Sequence, residues 1–148
     1  MRAVVQRTTG ASVSAGNERL GEIGNGLVVF LGVEQGDTAD DLNYICDKVV
    51  GLRVFNDENG VPNCSVEEIG GAVLLVSQFT LCADARKGRR PSYIRAARPE
   101  TAIPLYEEAV RRIGAHVPVA QGRFQALMQV RLVNDGPHTI LLDSRRTF

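Results

Sequence analysis

Two short strings in this sequence bring together residue types that could act on an ester. The first is Ser77-Gln78-Phe79-Thr80, which follows the apolar run Ala72–Val76. Successive side chains of a strand point to opposite faces, so Ser77 and Phe79 are expected on one side and Gln78 and Thr80 on the other. Main-chain amides at such a strand end can donate to a developing oxyanion; the plainer reading is a strand end capped by polar residues. The second string is Asn134-Asp135-Gly136-Pro137-His138-Thr139, set between two apolar stretches. Its composition reads first as a hairpin turn, and its Gly-Pro pair is a place where a cis peptide bond could occur. Neither string comes with an acid–base triad: His116 and His138 are the only histidines, and no Cys–His pairing is evident.

The elements that must position these strings are mostly strands. Ala3–Arg7 and Ala11–Ser14 alternate as strands, Gly16-Asn17 signals a hairpin turn, and Arg19–Ile23 returns. After the turn Gly24-Asn25-Gly26, the run Leu27–Val33 reads as a buried strand. A helix opens after Gly36-Asp37-Thr38, with Leu42, Ile45, Cys46, Val49 and Val50 on one face. Arg53–Phe55 is a short strand before the turn Asn56–Gly60. A second helix carries Ala102, Leu105, Tyr106, Ala109, Val110 and Ile113 on one face. Pro104 conflicts with a start at Pro99, so Thr101 is the expected N-cap. His116–Ala120, Gln129–Val133 and Thr139–Leu142 read as three further strands. The expected fold is α+β: a single domain, residues 1–148, of mainly antiparallel β-sheet with two main packed helices. Residues 144–148 form a C-terminal tail. No GxGxxG or Walker loop is present.

Composition narrows the function classes. The 148 residues are 44% hydrophobic and 23% charged, ordinary for a domain of this size. No apolar run approaches the ~18 residues of a membrane span, and Arg2, Gln6 and Arg7 interrupt what a signal peptide would keep apolar. A soluble, cytoplasmic protein without membrane association is expected. Cys46, Cys64 and Cys82 form neither a disulfide framework nor a CxxC motif, so reduced thiols are expected, with no metal and no cofactor. The zero net charge hides an asymmetry. Residues 1–85 hold five basic and twelve acidic residues, net −7, and residues 86–148 are net +7. The change begins at Arg86-Lys87-Gly88-Arg89-Arg90, a footprint suited to phosphates or simply a solvated loop. Tyr93 is the only aromatic near it in the chain, which favours contact with a nucleic-acid backbone over base stacking.

Taken together, SQxT at residues 77–80 and NxGPxT at residues 134–139 resemble the D-aminoacyl-tRNA deacylase family. Met1–Arg7, Gly24-x-Gly26-Leu27, Arg53–Phe55, Val76–Leu81, Arg86–Ser92 and Gly122-Arg123-Phe124 resemble it too, in order along the chain. The resemblance implies a hydrolase that cleaves the ester between a D-amino acid and the terminal ribose of tRNA. It implies a homodimer with active sites at the subunit interface and a cis Gly136-Pro137 inserted into the partner's pocket. There the main-chain carbonyls would take the substrate's amino group and leave no room for an L side chain; glycyl-tRNA, having no side chain, would pass. It further implies that the amides of Phe79 and Thr80 serve as donors and that Gln78 positions the terminal adenosine. Ser77 belongs to the same catalytic string, and Asn134, Thr139 and Arg7 support the Gly-Pro loop. For Arg7 the alternative is a surface charge at a strand edge. Arg86, Lys87, Arg89 and Arg90 would meet tRNA. Whether Thr80 is a nucleophile or the tRNA's own ribose hydroxyl assists stays open, with the second preferred. His138 and Cys82 depart from the family pattern. A catalytically silent RNA-binding module and a general Ser/Thr esterase are the competing readings.

Overall fold

The computed structural model describes residues 1–148 and is organised about one long strand, β1 (Arg2–Ala15). Two strands share one edge of β1: β2 (Glu18–Ile23) pairs with Ala11–Ala15, and β3 (Gly26–Gly32) with Arg2–Thr8, both antiparallel. The expected strands Ala3–Arg7 and Ala11–Ser14 are thus one strand that changes partner midway. α1 (Ala39–Gly51), β4 (Phe55–Asn56) and β5 (Pro62–Cys64) then lead to β6 (Ala72–Ser77), which lies parallel to β3. α2 (Pro99–Gly114) leads to β7 (Val119–Gln121), parallel to β6. β8 (Met128–Asp143) covers the remaining edge of β1, antiparallel from Ala15↔Met128 to Arg2↔Asp143.

The sheet is therefore mixed: β1 is antiparallel to all three of its partners, while β3–β6 and β6–β7 are parallel. A parallel neighbour needs a crossover long enough to return the chain to the same end, and α1 and α2 lie in those crossovers. Both faces of the β3–β6 region are covered. Leu27, Val29 and Leu31 pack with Leu42, Ile45 and Val49 of α1 and Ala102, Tyr106, Ala109 and Ile113 of α2. On the other face Val28, Leu74 and Val76 join Ala11, Val13 and Ile23. Burial on two sides is why both runs are continuously apolar in sequence.

α1 starts where expected. The Thr38 hydroxyl accepts from the Asp40 amide, and the Asp41 carboxylate accepts from the Thr38 amide, a reciprocal cap worth about 1 kcal/mol. α2 does not start at Thr101: Arg98 is the N-cap, Pro99 the first helical residue, and Pro104 lies inside the helix. Pro104 and Glu100 are both exposed, so the carbonyl left without its amide partner faces water, and the apolar face of α2 is untouched.

β8 overturns a second expectation. Gln129–Val133 and Thr139–Leu142 run in the same direction and pair with the same strand, so Asn134–His138 is not a hairpin turn. Between the pairs Thr8↔Asn134 and Gln6↔Thr139, β1 advances two residues while β8 advances five. The surplus is thrown out of the ladder as an excursion, the larger relative of a β-bulge. The tail is docked rather than loose. Ser144 donates its amide to the Met1 carbonyl, and its hydroxyl donates to Asp41 at 2.6 Å and accepts from the Met1 ammonium at 2.8 Å. That ammonium is fully buried against Asp37 at 2.7 Å, and Arg145 spans Glu34 and Asp37.

Candidate active site

The first string does not continue β6. Gln78 donates its amide to the Leu31 carbonyl at 2.8 Å, the last bond of the ladder, and the chain then coils into a 3-10 turn, Phe79–Cys82. The alternation expected across Ser77–Thr80 ends with Ser77. Leu81 donates to the Gln78 carbonyl and Ala83 to that of Thr80, so the amides of Phe79 and Thr80 head the turn, where no carbonyl within it receives them. The Gln78 side chain donates to the Thr80 hydroxyl. Within the chain no carboxylate or imidazole hydrogen-bonds to the Ser77 or Thr80 hydroxyl, so neither has a general base from its own chain. Cys82 is buried beneath the turn, and burial pushes its thiol up to about 11, which leaves it a poor nucleophile at neutral pH.

Two residues outside the string fix the turn. At Gly32 a Cβ would stand 2.9 Å from the Gln78 carbonyl oxygen and 3.0 Å from Leu81 Cβ, so only glycine lets the turn lie on β3. Arg2 donates to the Leu81 carbonyl at 3.1 Å. Neither residue stands out in the sequence, because each acts through a neighbour distant in the chain.

The second string is held from beneath by Arg7, which is 8% exposed and so is not a surface charge at a strand edge. Its guanidinium donates to the carbonyls of Val54 at 2.7 Å, Asp135 at 3.2 Å and Gly136 at 3.2 Å, and pairs with the Asp135 carboxylate at 2.9 Å. Gln6, which the sequence reading missed, ties the flanks of the excursion together. Its amide group donates to Asn134 Oδ1 at 2.5 Å and accepts from the Thr139 hydroxyl. Gly136-Pro137 is cis, and both residues are exposed. His138 is half-buried without a hydrogen bond or ion pair.

The two strings do not meet within one chain. Ser77 shares a row of the sheet with Leu31, Ala3 and Leu142, while Thr139 lies three strands across and three rows along. At about 4.8 Å per strand and 3.3 Å per residue, roughly 17 Å separates them.

The basic segment is an arm beside the 3-10 turn. Asp84 and Ser92 exchange amide–carbonyl bonds of 2.8 and 2.9 Å at its base. Arg86 forks onto Asp84 at 2.9 and 2.5 Å, holding that carboxyl well below the usual range, while its side chain stays 82% exposed. Lys87, Arg89 and Arg90 are exposed and make no ion pair. No group of three or more His, Cys, Asp or Glu residues is arranged to hold a metal ion, and no helix is long and apolar enough to cross a membrane.

The sequence model of D-Tyr-tRNA(Tyr) deacylase matches residues 4–143, and the chain belongs to that family. It is 59% identical over 149 residues to the D-aminoacyl-tRNA deacylase of Desulforudis audaxviator, with all of both chains covered. With the enzyme of that name from Symbiobacterium thermophilum it is 56% identical over 151 residues, covering 100% of this chain and 99% of that one. The chain is accordingly an ester hydrolase of the D-aminoacyl-tRNA deacylase class. Among solved structures it resembles the c-Myc DNA Unwinding Element Binding Protein, with a TM-score of 0.91, 40% identity and 97% and 98% of the two chains covered. A probable eukaryotic D-amino acid tRNA deacylase shares the fold at a TM-score of 0.81 and 17% identity, over 96% and 98%.

Proposed function

We propose that the whole chain, residues 1–148, works as one domain of a homodimer that hydrolyses D-aminoacyl-tRNA in the cytoplasm and spares the L esters. The observation that carries this reading is the separation of the two strings. Each presents main-chain groups outward, a turn with two unserved amides after Ser77 and an excursion with immobilised carbonyls before Thr139, two flanking residues roughly 17 Å apart. A second copy that inserts its Gly136-Pro137 excursion beside the turn of the first unites them twice, by symmetry.

In the united site the amides of Phe79 and Thr80 donate to the ester carbonyl oxygen as water adds and charge develops there. A donor of this kind is worth about a hundredfold to a thousandfold in rate. Gln78 orients the Thr80 hydroxyl and the substrate's terminal adenosine, and Ser77 ends the strand that aims the turn. Collapse of the tetrahedral intermediate expels the ribose oxygen, the neighbouring ribose hydroxyl assisting; no residue with a base beside Thr80 supports a covalent intermediate. The Gly136 carbonyl, held by Arg7, accepts from the substrate's amino group, while Asn134 and Thr139 keep the excursion in register through Gln6. A rigid main-chain wall at the α-carbon rejects an L side chain by collision. Glycyl-tRNA, with none, is hydrolysed as well. Lys87, Arg89 and Arg90 take the tRNA backbone, and Arg86 shapes the arm through Asp84.

The test is hydrolysis of paired D-tyrosyl-tRNA and L-tyrosyl-tRNA by the purified protein. Loss of the D ester with the L ester intact is expected. Binding of tRNA with both esters intact would leave a nucleic-acid-binding module in place of an enzyme.

A further inference from the structure

Tyr93 is isolated among basic and small residues in the sequence, but the fold gives it an aromatic partner. Its ring lies 5.3 Å from that of Phe79, inclined at 68°, an edge-to-face pair. Both rings remain open to solvent, Phe79 at 56% and Tyr93 at 43%. Two adjacent exposed aromatics mark a contact surface rather than a core. The backbone that carries Tyr93 is fixed: the Asp84–Ser92 bonds close the arm just before it, and Ala96 donates to its carbonyl at 3.0 Å. The pair therefore joins the closed base of the arm, which carries Lys87, Arg89 and Arg90 beyond that closure, to the turn that is headed by the amides of Phe79 and Thr80.

That order matches the end of a nucleic acid esterified on its last ribose, in which phosphates, base and ester carbonyl follow one another. We infer that Tyr93, with Phe79, is the platform on which the terminal adenine base stacks, so that base binding aims the ester at the amides; this rests on the aminoacyl-tRNA reading. Aromatic faces accept bases by stacking, while the arm supplies the complementary charge for the phosphates.

The test is a cycle of binding measurements at one low salt concentration. It uses uncharged tRNA with its terminal adenosine, the same tRNA lacking that nucleotide, and the wild-type, Tyr93→Ala and Tyr93→Phe proteins. Stacking on an aromatic side chain corresponds to roughly tenfold to hundredfold in affinity. Removing the adenosine is expected to weaken the wild type by that factor. Tyr93→Ala loses the same factor on intact tRNA and no longer senses the missing nucleotide, whereas Tyr93→Phe behaves as wild type. Equal weakening of both tRNAs by Tyr93→Ala overturns the inference, as does an unchanged preference for the intact end. A raised dimer dissociation constant for Tyr93→Ala also overturns it, since the rings would then belong to a second copy. Hydrolysis of D-tyrosyl-tRNA by the wild type is scored separately. Hydrolysis without coupling removes the platform and leaves the enzyme reading; coupling without hydrolysis does the reverse.

Discussion

Arg7 of β1 holds the Gly136 carbonyl of the β8 excursion at 3.2 Å, and the same guanidinium reaches Val54 at 2.7 Å on the far side. One buried side chain thus joins the excursion to the segment entering β4. A guanidinium offers several donors in a fixed plane, and an ammonium cannot reproduce that fork. Arg7→Lys is expected to fold but to let the Gly136 carbonyl wander, reducing discrimination between D- and L-tyrosyl-tRNA by tenfold or more, roughly 1.4 kcal/mol. Arg7→Ala leaves Asp135 and three carbonyls without their partner and is expected to lower stability by about 2–4 kcal/mol. Denaturant unfolding checks the second statement, and paired D and L deacylation the first. Full discrimination in Arg7→Lys would remove Arg7 from the chiral filter.

Gly32 sets the position of the 3-10 turn. In Gly32→Ala the new methyl meets the Gln78 carbonyl oxygen at 2.9 Å, and a backbone atom cannot swing aside as a side-chain tip can. The turn has to move, and a displacement of about 1 Å at a reacting centre costs about a hundredfold in rate. A large fall in kcat with little change in thermal midpoint is the expected outcome.

Thr80 separates the two mechanisms. If its amide is the working group, Thr80→Ala keeps activity within about tenfold. Thr80→Pro, which removes an amide that no carbonyl of the turn receives, loses about a hundredfold to a thousandfold. Complete loss in Thr80→Ala with intact folding would make the hydroxyl a nucleophile.

The docked tail has a pH dependence whose sign is fixed. Burial alone would raise Asp143, but the Thr147 hydroxyl, the Arg145 amide, Arg2 and the terminal ammonium outweigh it and hold the carboxyl below its ordinary 3.8. Asp41 is lowered in the same way: burial opposes, and Ser144 and Thr38 prevail. Carboxylates with depressed values stabilise the folded state above their unfolded value, and that stability is lost as pH falls through the folded one. Hydrogen exchange at the Ser144 amide is expected to stay slow down to about pH 4 and to quicken below it. Asp143→Asn should blunt that dependence.

The thiols should sort themselves by burial. Cys46 and Cys82 are both pushed up to about 11 by burial, so about one molecule in a thousand carries either thiolate at pH 8. Half-buried Cys64 is expected to react first with a thiol reagent, the other two only on unfolding. Rapid modification of Cys82 in the folded protein would mean that the 3-10 turn opens.

The sequence by itself determined the elements and named the strings. Apolar alternation located β1 and β2, the continuous runs located β3 and β6, and Gly36-Asp37-Thr38 placed the start of α1, because these signals are local. The motifs SQxT and NxGPxT pointed to ester chemistry and to the family. Tertiary structure decided what each string is. Asn134–His138 has the composition of a reversal, yet both flanks pair with β1, and only the partner strand determines whether a chain turns back or bulges. Whether Ser77–Thr80 continues as strand depends on the room left by Gly32. Pro104 stays inside α2 because its face is exposed. Gln6, Gly32 and the partnership of Tyr93 with Phe79 had no sequence signature. Their effect lies in contacts between residues far apart in the chain, and spacing along the chain carries no record of such contacts.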